Sequence, residues 1–379
     1  MASSAVVSTL SRDEVADLLA RTEGLAFLKG KWIENDHRRL SELLDRYDEA
    51  EGGSLTLIEA LRGGNALSET DEEKDLDAGI DNGSWLREVR VRLQHPARID
   101  EPDLPSGLTA TLRPYQQTGF AWLNYVTELG FGACLADDMG LGKTVQVLAF
   151  AERLHETEPG SHALLVVPAS LLGNWQAEIA RFTPHMPYQV LHGKPAKTLE
   201  EEFSGETFLT ITSYALATKL MCVQDRSWAL LVLDEAQAIK NPGTKQTRLI
   251  KQIDARRRIA MTGTPIENDL SNLWSLFDFL DAGLLGNRRE FAAFSKGIAA
   301  RDGGYARLRR MVGPFILRRL KTDRAIVDDL PSKSEIDLDV ALTRKQVILY
   351  RKVTDELEQG IQSVTGIARS GLVLTTIMK

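Results

Sequence analysis

The chain has 379 residues, with 43% hydrophobic and 26% charged side chains, a balance that supports a large folded core and excludes wholesale disorder. Its net charge of −7 argues against a protein that coats nucleic acid through bulk positive charge, yet leaves room for a local patch that meets a phosphate backbone. Two cysteines, Cys134 and Cys222, cannot build a disulfide framework or a zinc cluster, which fits a reducing cytosol.

The N-terminal residues carry no basic segment followed by a long apolar run, so none reads as a signal peptide. Residues 25–33 are expected as a strand and 36–47 as a helix that starts at an Asp. Gly63 and Gly64 open an acidic, polar stretch through Asp71, Glu72, Glu73 and Asp81 that reads as a linker or an exposed helix of low stability. Pro96, Pro102 and Pro105 mark the approach to the next unit.

From Leu108 short apolar strands alternate with amphipathic helices. The strands are expected at 131–136, 163–167, 208–212, 229–233 and 258–261, and helices follow Lys143, Leu171, Thr244 and Leu270. Such apolar runs are too short to span a bilayer. Buried strands separated by helices imply an α/β fold, a parallel sheet covered on both faces, with ligands at the carboxyl ends of the strands. Further along, 283–310 reads as an Arg-rich helical excursion, 334–340 as a strand and 343–359 as a helix.

Two acidic or glycine-containing segments fall at strand ends. The first runs Asp137, Asp138, Met139, Gly140, Leu141, Gly142, Lys143, Thr144 and leads into a helix. Glycines let backbone N–H groups face a triphosphate, and the helix N-terminus adds partial positive charge. Lys143 supplies a full charge to the β and γ phosphates, and Thr144 a hydroxyl for Mg²⁺. The spacing departs from G-x-x-x-x-G-K-T at one place, where Asp137 stands for the first glycine. An ordinary turn with a surface lysine is the competing reading; the order strand, loop, helix favours the phosphate loop.

The second segment, Asp234, Glu235, Ala236, Gln237, ends the apolar run 229–233. ATP hydrolysis needs one carboxylate near the metal and one that polarises the attacking water. Asp234 is assigned to Mg²⁺ and Glu235 to the water. A solvated acidic turn is the alternative, and the upstream phosphate loop argues against it.

Together with Met261, Thr262, Gly263, Thr264, Pro265, Ile266, Glu267 and Asn268, these segments resemble the SWI/SNF-type branch of the superfamily-two helicases, where an Asp in place of the first glycine is usual. The resemblance runs from Leu108 to the C-terminus. It also rests on Leu112, Arg113, Pro114, Tyr115 and Gln116, on Leu273 to Leu280 and on Phe315 to Arg319. It implies a RecA-like P-loop NTPase lobe with a helical insertion, and a small N-terminal α+β segment. It further implies that Gln116 contacts the adenine, that Thr262, Gly263 and Thr264 couple the nucleotide to movement, and that Ser170, Thr212 and Ser213 touch the backbone of double-stranded DNA. Hydroxyls of this kind more often serve turns and caps; Trp175 and Trp274 read as core residues; and the clusters Arg256 to Arg258 and Arg307 to Arg310 read as solvated faces or a DNA patch. Thr262-Gly263-Thr264 departs from the Ser-Ala-Thr of RNA helicases. Around Gly30, Lys31 and Trp32 the chain resembles the end of a helicase-associated domain that precedes bacterial members of the family.

The expected organisation is therefore 1–62 as the end of that associated domain, 63–106 as linker, 107–330 as lobe 1 with a helical protrusion near 283–325, and 331–379 as the start of a second lobe. That lobe, supplied in cis or in trans, would bring the arginine fingers that this sequence lacks, so the chain is expected to be a fragment or split product with little ATPase activity alone. Two functions remain open at this stage: an ATP-dependent DNA translocase lobe, and a catalytically silent nucleotide- or DNA-binding module.

Overall fold

The computed structural model describes residues 84–263, 270–298, 304–323 and 340–363, the backbone of 24–28 and 31–35, and three residues near the C-terminus. Strands β1 (Gly24–Leu28) and β2 (Lys31–Asn35) pair antiparallel, Leu28 opposite Lys31. The span expected as one strand is thus two. The helix expected at 36–47 and most of the strand expected at 334–340 lie outside the described residues.

The main body is a seven-stranded sheet, parallel at every pairing. Its strands are β3 (Ala133–Leu135), β4 (Ala163–Val167), β5 (Tyr188–Leu191), β6 (Leu209–Ser213), β7 (Trp228–Leu233), β8 (Ala255–Met261) and β9 (Ile316–Leu317), in the order β5-β6-β4-β7-β8-β3-β9. Alternate residues feed two cores. Ala163, Leu165, Val167, Leu230 and Val232 join one, and Leu164, Val166, Leu231 and Leu233 join the other. Because both faces are buried, the strands are apolar throughout rather than alternating.

Helices cover both faces: α1 (Ser84–Gln94), α2 (Pro114–Glu128), α3 (Lys143–Thr157), α4 (Leu172–Phe182), α5 (Ala196–Glu202), α6 (Lys245–Gln252) and α7 (Leu270–Leu280). Phe120, Leu148 and Ile179 pack into the first core; Leu199, Ile250 and Phe279 pack into the second. Helix α6 starts where a side-chain cap predicts, since Thr244 Oγ1 accepts from the Thr247 N–H at 3.2 Å. The Arg-rich excursion is two helices, α8 (Arg288–Ile298) and α9 (Gly304–Val312), whose Phe291, Leu308 and Met311 also join the first core.

Helix α1 lies in the stretch expected to be linker. Its Val89 and Leu93 are buried in the first core, so this part of the segment belongs to the lobe. The chain divides at Asp328 into two compact units. The second contains α10 (Arg344–Ser363), opened by a capping box in which the Thr343 N–H donates to Gln346 Oε1 at 2.9 Å and the Gln346 N–H to Thr343 Oγ1 at 3.4 Å.

Candidate nucleotide site

In a parallel sheet all carboxyl ends lie along one edge, and here that edge gathers the chemically distinctive residues. β3 runs into 136–142, β7 into Asp234, β8 into Thr262, β6 into Tyr214 and β4 into the turn that holds Ser170. The phosphate loop bends through Gly140 and Gly142, with φ of +84° and +76°, and Gly142 caps α3 in the left-handed region. Lys143 follows at the first helical position, and its ammonium donates to the Asp137 carbonyl at 2.6 Å. Met139 and Gly140 are exposed, and Asp138, Gly142, Lys143 and Thr144 half-buried.

Asp137 has a structural explanation. Its carboxylate is fully buried and forms an ion pair with Arg319, which sits just past β9 and is itself only 7% exposed. Arg319 donates Nε to Asp137 Oδ1 at 2.8 Å, its backbone N–H to the same oxygen at 3.0 Å, and Nη2 to Gln146 Oε1 at 2.7 Å. It also bonds the Tyr115 carbonyl, and its guanidinium lies 5.2 Å from the Tyr115 ring centre. A Cβ at Gly119 would run into the Gln146 and Arg319 side-chain ends, so any larger residue there would push this network aside. The acid that replaces a glycine thus fastens the loop to β9, 182 residues further along. The sequence carries the signals, an acid at a glycine position and an arginine after an apolar strand, but no local spacing pairs them.

Gln116, expected at the adenine, has partners within the fold. It is 9% exposed; its Oε1 accepts from the Arg113 N–H at 2.9 Å, and its Nε2 donates to the Leu141 carbonyl at 3.1 Å. Tyr115 Oη donates to the same carbonyl at 3.2 Å. These side chains brace the phosphate loop from α2.

Asp234 is held on all sides. Its Oδ2 accepts from Trp175 Nε1 at 2.8 Å, its Oδ1 from the Glu235 N–H at 2.9 Å, and its carbonyl from Tyr214 Oη at 2.8 Å. Burial raises its pKa above the usual carboxylate value, while the Trp175 bond and the Lys143 charge offset this. Such a desolvated anion gains from a neighbouring cation. The donor set, a carboxylate with the Thr144 hydroxyl, consists of hard oxygens, and a cation that keeps water and phosphate ligands needs only one or two from the protein. The residues present therefore fit Mg²⁺.

Glu235 has φ +50°, the one non-glycine residue with positive φ among the described residues. A strained backbone of this kind costs on the order of 1–3 kcal/mol and concentrates at functional sites. Its Oε2 accepts from Gln237 Nε2 at 2.7 Å, and Gln237 Oε1 in turn accepts from Thr262 Oγ1 at 3.2 Å. Gln237 therefore bridges the acidic segment to Thr262. Gly263 is half-buried beside Met139, and Thr264 lies outside the described residues.

The three hydroxyls expected at DNA differ. Ser170 is exposed. Ser213 is buried, and Thr212 is fully buried with its hydroxyl donating to the Leu191 carbonyl at 3.0 Å. The Thr212 side chain therefore fastens β5 to β6 and is not free to meet a phosphate. The arginines of the Arg256 to Arg258 cluster have partners within the fold. Arg256 and Arg257 pair with Glu158, Arg257 at 2.6 Å, and Arg258 donates to the Ile253 carbonyl at 2.7 Å beneath the Phe279 ring. Arg309 and Arg310 on α9 are exposed. Trp274 spends its N–H on the Gly286 carbonyl at 3.0 Å, as a core residue would.

Known proteins resemble this chain in sequence and in fold. The SNF2-related domain family matches residues 115–377, and a second family, described as SNF2 Helicase protein, matches 8–64. YwqA of Bacillus subtilis, provisionally named an ATP-dependent helicase/translocase, is 34% identical over 97% of this chain and 42% of its own length. The chromatin-remodeling ATPase INO80 of Cryptococcus neoformans is 37% identical over 65% of this chain and 15% of its own. The chain thus spans less than half the length of these relatives. Among solved structures, the Sulfolobus solfataricus SWI2/SNF2 ATPase core in complex with double-stranded DNA is 39% identical, covers 74% of this chain and 59% of its own, and superposes with a TM-score of 0.57. The parallel sheet flanked by helices is the RecA-like lobe of that core, and the chain belongs to the SNF2-related domain family.

Proposed function

We propose that this chain supplies the ATP-binding lobe of a double-stranded-DNA-stimulated ATPase that translocates along DNA. The observation that carries the reading is the shared sheet edge, where β3 delivers the phosphate loop and β7 delivers Asp234 and Glu235. The backbone N–H groups from Gly140 to Thr144 and the Lys143 ammonium would hold the β and γ phosphates. Thr144 and Asp234 would hold Mg²⁺, which when bound neutralises charge on those phosphates. Glu235 would orient a water and take its proton as the water oxygen bonds to the γ phosphorus and the bond to the β–γ bridging oxygen breaks. Gln237 and Thr262 would pass the state of Glu235 to the sheet edge.

Turnover on this reading needs a second lobe to close the site and bring an arginine to the γ phosphate, a contribution of about 10³ to 10⁵ in kcat in related chemistry. DNA would be held through its phosphates near Ser170, with Ser213 contributing through its backbone, so binding would ignore base sequence and weaken steeply with salt. The DNA-bound Sulfolobus relative supports this partner. The silent-module alternative leaves the strained Glu235 and its link to Gln237 without a purpose. Titrating a fluorescent ATP analogue with Mg²⁺ into the chain tests the site. Lys143→Ala should lose most of the affinity, since charge-assisted phosphate contacts are the strong ones; unchanged binding would refute the assignment.

A further inference from the structure

A buried indole N–H must find an acceptor, and a backbone carbonyl is the ordinary one. Trp228 donates to the Val223 carbonyl and Trp274 to the Gly286 carbonyl, each at 3.0 Å. Trp175, 2% exposed on α4, donates instead to Asp234 Oδ2 at 2.8 Å, the carboxylate assigned to the metal. Tyr214 is also buried, and its hydroxyl donates to the backbone carbonyl of the same residue at 2.8 Å.

The positions of these two residues matter more than their number. Trp175 sits one turn into the helix that follows exposed Ser170, and Tyr214 directly follows Ser213 at the end of β6. The Asp234 N–H donates to the Val166 carbonyl of β4, four residues before Ser170. Both segments assigned to the DNA backbone thus end, within five residues, on a hydrogen bond to Asp234. The Trp175 bond ties one segment to the carboxylate itself, and the Tyr214 bond ties the other to the backbone that carries it.

We propose that Trp175 and Tyr214 are positioning residues that connect the DNA-facing segments to the metal-binding carboxylate Asp234, so that DNA binding tightens Mg²⁺·nucleotide binding. This rests on the nucleotide-site and DNA-contact readings above. Because coupling between sites is reciprocal, DNA and Mg²⁺·nucleotide then strengthen one another's binding. Trp175→Phe keeps most of the ring volume and removes the N–H; Tyr214→Phe removes one hydroxyl.

The test measures, on the 379-residue chain, the Mg²⁺ concentration that gives half-maximal binding of a fluorescent ATP analogue, with and without a 30-base-pair duplex. Wild type should need less Mg²⁺ when DNA is present. Trp175→Phe should raise the DNA-free midpoint about tenfold, the worth of one hydrogen bond to a charged group, and both variants should lose the shift with DNA. Nucleotide affinity in EDTA should stay as in wild type, which a general loss of structure would not allow. Tyr214→Phe, the smaller change, keeps the test decisive if Trp175→Phe folds poorly. A wild type whose midpoint ignores DNA, or variants that retain its full shift, would overturn the proposal. A wild type that binds no Mg²⁺·nucleotide would instead overturn the site itself.

Discussion

Arg319→Ala should be among the most damaging single substitutions in the lobe. Truncation removes the guanidinium bonds to Asp137, Gln146 and the Tyr115 carbonyl, and it strands a carboxylate that has no solvent exposure. Breaking a buried pair from one side costs about 3–5 kcal/mol, because the remaining charge is uncompensated. For a lobe of this size that corresponds to a fall in Tm of roughly 6–20 °C, at about 2–4 °C per kcal/mol. The double variant Asp137→Gly with Arg319→Met removes both charges, fills part of the space and restores the general glycine of the loop. It should recover most of the loss, giving a coupling of at least about 2 kcal/mol. Urea denaturation of wild type, Asp137→Gly, Arg319→Met and the double variant measures the cycle, with Arg319→Ala run beside them. A loss below about 1 kcal/mol for Arg319→Ala, or a double variant no better than the single one, would refute the claim that this pair fastens the loop to β9.

Gly142→Ala places a Cβ against Gln116 Nε2 at φ +76°, and should cost about 1–2 kcal/mol in backbone strain together with at least about tenfold in nucleotide affinity; Gly130→Ala, at φ +84° with open space around it, should carry the strain without the binding loss, and parallel titrations and melts compare them. Asp281 accepts from the Gly132 N–H at 2.8 Å, and burial pushes its pKa from 3.8 to about 7, only partly countered by that bond and Arg258. The folded chain therefore binds this proton more tightly than the unfolded chain, and the contribution is lost as pH rises from about 4 through 7. Asp281→Asn should gain stability relative to wild type between pH 5 and pH 8, on the order of a few kcal/mol; an unchanged difference in denaturation midpoints across that range would count against it.

The central strands were legible because each is a compact apolar run between polar turns: 163–167 matches β4 in full, and 229–233 matches β7 to within one residue. Strand β5 escaped because it is an edge strand with Tyr188 exposed and only Leu191 buried, so no apolar run marks it. Strand β9 is two residues long and exists because it pairs with β3, far away in sequence. The sequence offers Lys143, Asp234 and Glu235 as candidates because a glycine-containing loop before a helix and an acidic strand end are local patterns, and the fold places all three at the carboxyl ends of β3 and β7. What spacing cannot show is which side chains have spent their polar groups internally. Thr212 and Arg257 looked like candidate nucleic-acid contacts, and their partners, Leu191 and Glu158, appear only once the chain is folded.

The central claim is that Glu235 activates water in a site that binds Mg²⁺·ATP. Glu235→Gln tests it most directly, because the amide oxygen can still accept from Gln237 while the negative charge is gone. Steady-state ATP turnover with double-stranded DNA should be measured for this variant and wild type in a polypeptide that joins this chain to a second RecA-like lobe, with ATP binding followed alongside. The account predicts ATP affinity near that of wild type and turnover lower by about 10² or more, the usual worth of a positioned general base. Turnover within a fewfold of wild type would contradict it.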